Sequence, residues 1–330
     1  MSDSLPATMR AVVLHETNPR RWQIESIAVP QPAAGEALIK ITASPLNPSD
    51  LMFLIGNYGV RKPLPVVPGF EAGGRVISVG EGVDDSWIGR KVACFSGAGD
   101  GTYAEYMRTP ITNVLPVADH ISEEAAAMML VNPLTAVALV ESAVKLGAKA
   151  IVQTAAASAL GGMIRKAARA RGLGVIDVVR RAAQAADLTA SGAENVLDTS
   201  NADFDRNLRD MCRALDARVA FDAVGGTTTD RILRGMPNGS HIIVYGGLEG
   251  QPVQVGVDQF IFRDKHVHGF WLSTWMRQQP DAFRAAWETV QADFDSFKSE
   301  VRARFTVDQF DEAVALYEAQ MTGGKVLIVP

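Results

Sequence analysis

Residues 150–181 read AIVQTAAASALGGMIRKAARARGLGVIDVVRR, and the division of that stretch decides the fold. AIVQT is a short apolar strand, GGMIRKAARARG is helix-like, and GVIDVV is a second strand. The alternation continues through ENVLDT, ARVAFDAV and HIIVYGG, with helical stretches such as FDRNLRDMCRAL between them. Short apolar strands alternating with helices predict an α/β architecture built on a parallel, doubly wound sheet.

The first turn of such a sheet is where phosphate-binding glycines belong. After AIVQT, the G-x-G-x-x-G template falls on Ala156, Ser158 and Gly161, so one glycine of three is present. As a pattern this is a failed match. The physical requirement is weaker: small side chains that let backbone N–H groups approach a pyrophosphate at a helix N-terminus. Alanine and serine meet it, and Ser158 adds a hydroxyl. At the end of the second strand an NAD site places Asp or Glu against the ribose, whereas here Arg180 and Arg181 follow GVIDVV. Guanidinium groups grip a 2′-phosphate, which favours NADPH; paired arginines also occur as plain solvated surface. Asp177 is a competing signal for NAD, but it lies inside the strand.

From Arg10 to about Pro116 the chain changes character, with short strands (MRAVVLHE, ALIKITASPL, GGRVISVGEG, GRKVACFSG, AEYMRTP) punctuated by Gly and Pro. This predicts a partly closed β-barrel. SEEAAAMMLVNPLTAVALVESAV reads as one helix, capped by Ser122 with Glu123 and Glu124 in its first turn. Beyond Phe270 come an amphipathic stretch near 281–297 and a last strand, KVLIV, expected to rejoin the first domain. The expected division is 1–120, completed by 273–330, and 121–272.

With 330 residues the chain suits two domains. Its net charge of −5 and 47% apolar content describe a globular protein without general affinity for polyanions, so nucleic acid is not an expected partner. Apolar runs fall far short of the roughly 20 residues of a membrane span. MSDSLPATMR lacks a basic stretch followed by an apolar core, and Cys94 and Cys212 form no CxxC pattern. A cytoplasmic location is the expectation.

The segment 43–74, ASPLNPSDLMFLIGNYGVRKPLPVVPGFEAGG, sets Asn47, Asp50, Tyr58 and Glu71 among prolines and glycines, on expected loops. Its wording resembles the opening domain of the medium-chain dehydrogenase/reductase superfamily, and NPSD followed by GNYG resembles the 2-enoyl thioester reductases. VNPLTA (131–136), DVVRR (177–181), VYGG (244–247) and FIFRDKHVHGFWLSTW (260–275) extend that resemblance over most of the chain. The resemblance implies a GroES-like barrel beside a Rossmann-type domain with an NADPH cleft between them. It places Asn132 at the nicotinamide end and Ala157, Ser158, Ala159 and Leu160 at the pyrophosphate. Arg180 and Arg181 would meet the 2′-phosphate, and Tyr245, Gly246, Gly247 and Leu248 would follow a later strand. Phe270, Trp271 and Leu272 would flank the nicotinamide, and Lys325 would close the site. Without it, Phe270–Leu272 read as core and Lys325 as a solvated hairpin end.

Zinc-dependent members hold a catalytic ion with Cys and His where this chain has Asn47 and Phe70, followed by an acidic residue, here Glu71. Zinc needs about four converging N, S or O ligands, so no metal is expected, and Glu71 reads as a structural acid bonding backbone amides. His266 and His268 are the only close histidine pair. The expected reaction passes hydride from NADPH to the β-carbon of an α,β-unsaturated carbonyl compound, with Tyr58 donating to the developing oxyanion. By its residue type alone, Tyr58 reads equally as a half-buried loop aromatic. Asn47 would orient the substrate or cap a turn. The alternatives are an NADPH:quinone oxidoreductase and a non-catalytic NADPH-binding protein. Arg61 and Lys62 are candidates for the phosphates of a thioester carrier, and a homodimer is the default assembly.

Overall fold

The computed structural model describes residues 5–330, so the first four residues of the N-terminal stretch read above lie outside the described residues. Two compact units emerge, Met1–Val131 with Phe297–Pro330, and Asn132–Ser296.

The first unit opens with an antiparallel pair, β1 (Thr8–Thr17) and β2 (Arg20–Ala28), followed by β3 (Glu36–Pro45), β4 (Glu71–Val79), β5 (Lys91–Phe95), β6 (Tyr106–Pro110) and β7 (Val114–Pro116). β3 is central, pairing antiparallel with both β4 and β6, and its inward residues Ala37, Ile39 and Ile41 pack with Val76, Val92 and Met107. Gly73 on β4 faces the backbone of Glu123 and Ala127; a Cβ there would lie 2.1 Å from the Glu123 carbonyl oxygen.

Three expectations are corrected here. NPSDLMFL is a helix, α1 (Pro48–Leu54), rather than loop. Asn47 caps it and the Asp50 carboxylate accepts the Asn47 N–H at 2.9 Å, a reciprocal capping arrangement helped by Pro48 at the first helical position. Glu71 opens strand β4 instead of sitting in a loop. The stretch expected as one helix is two, α2 (Glu123–Ala126) and α3 (Val131–Lys145). Pro133, near the start of α3, lacks an N–H, and its ring would clash with the carbonyl four residues back. Ser122 does cap α2, its Oγ accepting the Ala125 N–H at 3.1 Å.

In the second unit β8 (Ala150–Gln153), β9 (Gly174–Val179), β10 (Asn195–Asp198), β11 (Ala217–Asp222), β12 (His241–Val244) and β13 (His266–Gly269) form one parallel sheet in the order β10-β9-β8-β11-β12-β13. Read from the first strand outward this is 3-2-1-4-5-6, the dinucleotide-binding order. The helices α4 (Ala159–Ala170), α5 (Ala182–Ala190), α6 (Phe204–Ala214) and α7 (Gly226–Gly235) connect successive strands. Leu208, Cys212, Ile232 and Leu233 of α6 and α7 pack on Ala220 and Ile242 of the sheet. The chain then returns to the first unit with β14 (Val301–Phe305) and β15 (Lys325–Ile328), which pairs antiparallel with the end of β3.

The close contact between the β8 turn and α4 is set by one glycine. A Cβ on Gly161 would lie 2.5 Å from the Ala156 carbonyl oxygen, whereas one on Gly162 would meet nothing within 4 Å. We predict that Gly161→Ala destabilises the protein by about 1–3 kcal/mol, while Gly162→Ala, in the same helix, stabilises it by up to about 1 kcal/mol. Thermal unfolding of the two variants beside the parent checks this; equal shifts would contradict it.

Candidate active site

In the first unit the polar residues of segment 43–74 converge on a buried carboxylate. Glu71 is 1% exposed, and its Oε1 accepts from Asn47 Nδ2 at 2.8 Å while Oε2 accepts the Val131 N–H at 2.8 Å. The Leu130 N–H also bonds this carboxylate. The Leu46 N–H donates to the Val326 carbonyl at 2.9 Å, which sets the neighbouring Lys325 beside Asn47. Lys325 Nζ donates to Asn47 Oδ1. The side-chain amide is thus held between a cation on its oxygen and an anion on its nitrogen, which fixes its orientation.

Burial governs the ionisation of these groups. It raises the Glu71 pKa against the opposing pull of Lys325, and it lowers the Lys325 pKa against the pull of Glu71 and Asp50. Lys325 is 4% exposed, so the solvated hairpin end is not what forms. Asp50 is fully buried; its Oδ1 has no hydrogen-bond partner, and burial raises its pKa to about 7. Tyr103, whose hydroxyl donates to the Pro45 carbonyl at 3.2 Å, adjoins Asp50 and shares the desolvated surroundings.

Tyr58 lies beyond α1 and is half-buried. Its ring sits 4.9 Å from that of Phe70, tilted by 42°, and Phe70 in turn meets Phe53 edge-on at 5.4 Å. The phenol is therefore carried on an aromatic stack rooted in the core of the first unit. Phe70 spends its position on packing and offers no metal donor. Among the described residues no group of three or more His, Cys, Asp or Glu could hold a metal ion.

In the second unit the β8 turn passes into α4 through small side chains. Ala155 takes a left-handed conformation with φ 50°, and Ala156 donates its N–H to the Val178 carbonyl at 3.2 Å. Ser158 caps α4, its Oγ accepting the Gly161 N–H at 3.0 Å. Ala157, Ser158 and Leu160 are half-buried and Ala159 is exposed, so this first turn is open to a ligand. Asp222, at the end of β11, accepts from Thr154 Oγ1 at 2.7 Å, Thr229 Oγ1 at 2.6 Å and the Val224 N–H at 2.9 Å. That carboxylate joins the two strands at which the sheet order reverses, where ligands bind in such sheets.

Arg180 and Arg181 are exposed, and α5 begins at Ala182 after the N-cap Arg181, with neither a side-chain cap nor an acidic residue in its first turn. Asp177 is 1% exposed and already engaged: Gln153 Nε2 donates to it at 2.6 Å and Arg165 Nε at 2.7 Å. Neither Arg165 nor Gln153 stood out in the sequence, although a basic residue on the helix after the turn was a readable signal.

Tyr245 follows β12, and burial beside Asp222 raises its pKa. Gly246 packs on the Ala223 backbone, with 2.7 Å to the carbonyl oxygen from an added Cβ; Gly247 has open space, and Leu248 is 50% exposed. Phe270 is half-buried and Trp271, 38% exposed, begins the helix Leu272–Gln278, so this run is not core. Asn132 lies in the first turn of α3, half-buried. His266 and His268 share one face of β13, and His241 of β12 joins them unforeseen, its Nδ1 3.0 Å from His268 Nε2.

The raised pKa of Asp50 carries a sign that can be measured. Its folded value of about 7 exceeds the unfolded value of 3.8, so the folded state binds the extra proton and stability falls as pH rises from about 4 to 7. Asp50→Asn keeps an acceptor for the Asn47 N–H and removes the ionisation. The Tm difference, variant minus parent, is expected to rise by a few degrees between pH 5 and pH 8; a difference flat across that range would contradict the assignment.

Comparison with known proteins follows the same division of the chain. Residues 33–119 match the alcohol dehydrogenase GroES-like domain and residues 159–292 the zinc-binding dehydrogenase domain. The chain is 31% identical to the mitochondrial enoyl-[acyl-carrier-protein] reductase of Bos taurus over 84% of its own length and 77% of that protein. The corresponding protein of Arabidopsis thaliana is 32% identical over 73% of this chain, and the match spans 65% of that longer protein. A crystal structure from Mesorhizobium loti, described as a candidate NADPH:quinone reductase, superposes with a TM-score of 0.90 at 34% identity, covering 99% of this chain and 100% of that one. With both domain families matched in order and these relatives aligned across most of its length, the chain belongs to the medium-chain dehydrogenase/reductase superfamily, close to the enoyl reductases and quinone reductases.

Proposed function

We propose that this protein is a zinc-independent, NADPH-dependent reductase of activated C=C bonds, with 2-enoyl thioesters as its substrate class. The observation that carries this reading is the phenol of Tyr58, held on Phe70 at 4.9 Å in the segment where a metal centre would otherwise supply the electrophile. NADPH, when bound, supplies a hydride. The β8 turn, with Ala157–Leu160 at the start of α4, presents backbone donors to the pyrophosphate. Arg180 and Arg181, with the uncapped start of α5, take the 2′-phosphate. Tyr245–Leu248 and Phe270–Leu272 complete the cofactor-side surface, with Asn132 at the nicotinamide end.

On the substrate side, negative charge develops on the carbonyl oxygen as the β-carbon accepts hydride. Tyr58 keeps its proton at neutral pH and donates a hydrogen bond to that oxygen. The α-carbon then takes a proton, completing reduction. Asn47 and Lys325, buried and bonded to each other, with Asn47 also bonded to Glu71, act on this reading by holding the scaffold under Tyr58. The candidate quinone reductase at 34% identity supports a second reading, in which the same cofactor machinery reduces a quinone.

A homodimer through the β13 edge fits the exposed strand and the exposed Val257, Ile261 and Phe262 beside it. No helix among the described residues is long and apolar enough to cross a membrane. The two free, buried cysteines fit a reducing compartment such as the cytoplasm.

Two substitutions test the reading. Tyr58→Phe is expected to lower kcat with a crotonyl-type thioester by about a hundredfold or more, leaving the KM for NADPH unchanged; full thioester activity in the variant would remove Tyr58 from the mechanism. Arg180→Ala is expected to raise the KM for NADPH about tenfold and to affect that for NADH much less, whereas equal increases would refute the 2′-phosphate assignment.

A further inference from the structure

Asp177 is the residue that, by type and place, argues for the non-phosphorylated cofactor. In the sheet it stands opposite Gln153, the last residue of β8, and therefore at the level where the phosphate turn leaves the strand. It is three residues from Arg180, and the turn above it is pinned to the same strand by the Ala156 N–H on the Val178 carbonyl at 3.2 Å. A free carboxylate there would oppose a cofactor carrying an additional phosphate dianion. The carboxylate is not free. Arg165 of α4 donates through Nε to Asp177 Oδ2 at 2.7 Å, with side-chain exposures of 12% and 1%, and Gln153 Nε2 covers Oδ1 at 2.6 Å. Arg165 also donates through Nη2 to the Ala156 carbonyl at 3.0 Å, so one guanidinium binds both the acid and the turn. On β10 the register partner of Asp177 is Val196, which brings no charge.

We propose that Arg165 sets the preference for NADPH over NADH by holding Asp177 as a neutral pair beneath the phosphate-binding turn. The inference rests on the NADPH reading given above. Both bonds of Arg165 go to protein, so on this inference it is a positioning residue that acts through Asp177. The charges make opposite demands on its two partners. Removing the cation leaves a net negative charge under the phosphates, and removing the anion leaves a net positive one. A purely structural clamp would respond alike to both losses, because each breaks the same bond.

The measurement is the NADPH-to-NADH affinity ratio, taken from Kd values by protein-fluorescence titration without substrate and repeated as the ratio of kcat/KM, on Arg165→Met, Asp177→Asn and the double variant. Arg165→Met is expected to lower the ratio about fivefold, Asp177→Asn to raise it by a factor of about 2–5, and the double variant to return it to within about twofold of the parent, the size expected of one unit charge acting on a phosphate dianion through a largely aqueous dielectric. Both single variants lowering the ratio, or neither moving it in a parent that prefers NADPH, would overturn this inference and leave the cofactor reading standing. A parent with no preference for NADPH would overturn that reading and this inference with it. Should Arg165→Met fail to fold around its unpaired carboxylate, Asp177→Asn and the double variant decide, since Asp177→Asn must raise the ratio and the double variant must cancel that rise.

Discussion

A carboxylate buried away from water must collect donors or lose its charge, and Glu71 collects them from every part of the first unit. Asn47 reaches it from the start of α1, Leu130 and Val131 from the start of α3, and Lys325 supports it from the chain's tail through Asn47. Breaking one partner of such a buried arrangement typically costs about 3–5 kcal/mol, because the remaining charge is left uncompensated. The network explains why residues far apart in sequence must fold together: β15 pairs with β3 so that Lys325 arrives at Asn47, and α1 is capped by the same asparagine that holds Glu71. Tyr58 inherits its position from this arrangement, because Phe70, which its ring rests on, is the residue immediately before Glu71.

The second unit meets the same constraint twice. Asp222 is satisfied by hydroxyls and backbone amides and fastens the sheet at the point where its strand order reverses. Asp177 is satisfied by Arg165 and Gln153 and fastens the phosphate turn to β9. In each case the acid organises backbone through donors of its own. On the proposed reading, that satisfied state lets the adjoining turns of a sheet with buried carboxylates receive phosphates.

Much of this was legible in the chain. The alternation from residue 150 onward specified the parallel sheet, because apolar runs bounded by turns have few other solutions. Gly161 was readable as the one glycine left of the phosphate-binding template, and Ser122 as a cap. The capping signal in NPSD was equally readable, yet the prolines and glycines around it suggested loop, and α1 was missed. The break between α2 and α3 was marked by Pro133 and obscured by the helix-forming residues on either side. What the sequence could not reveal was partnership across distance. That Lys325 would be buried on Asn47, that Arg165 would occupy Asp177, and that His241 would stack on His266 and His268 all depend on strand register and helix packing, which local pattern does not encode.

On the proposed reading, hydride passes from the reduced cofactor to carbon rather than to a quinone. Transfer of deuterium from 4-deuterated NADPH to a crotonyl-type thioester, followed by mass spectrometry and NMR of the product, tests this most directly. The expected product carries one deuterium at the β-carbon and one solvent-derived hydrogen at the α-carbon. Cofactor oxidation with quinone alone, and no label in the thioester, would contradict it.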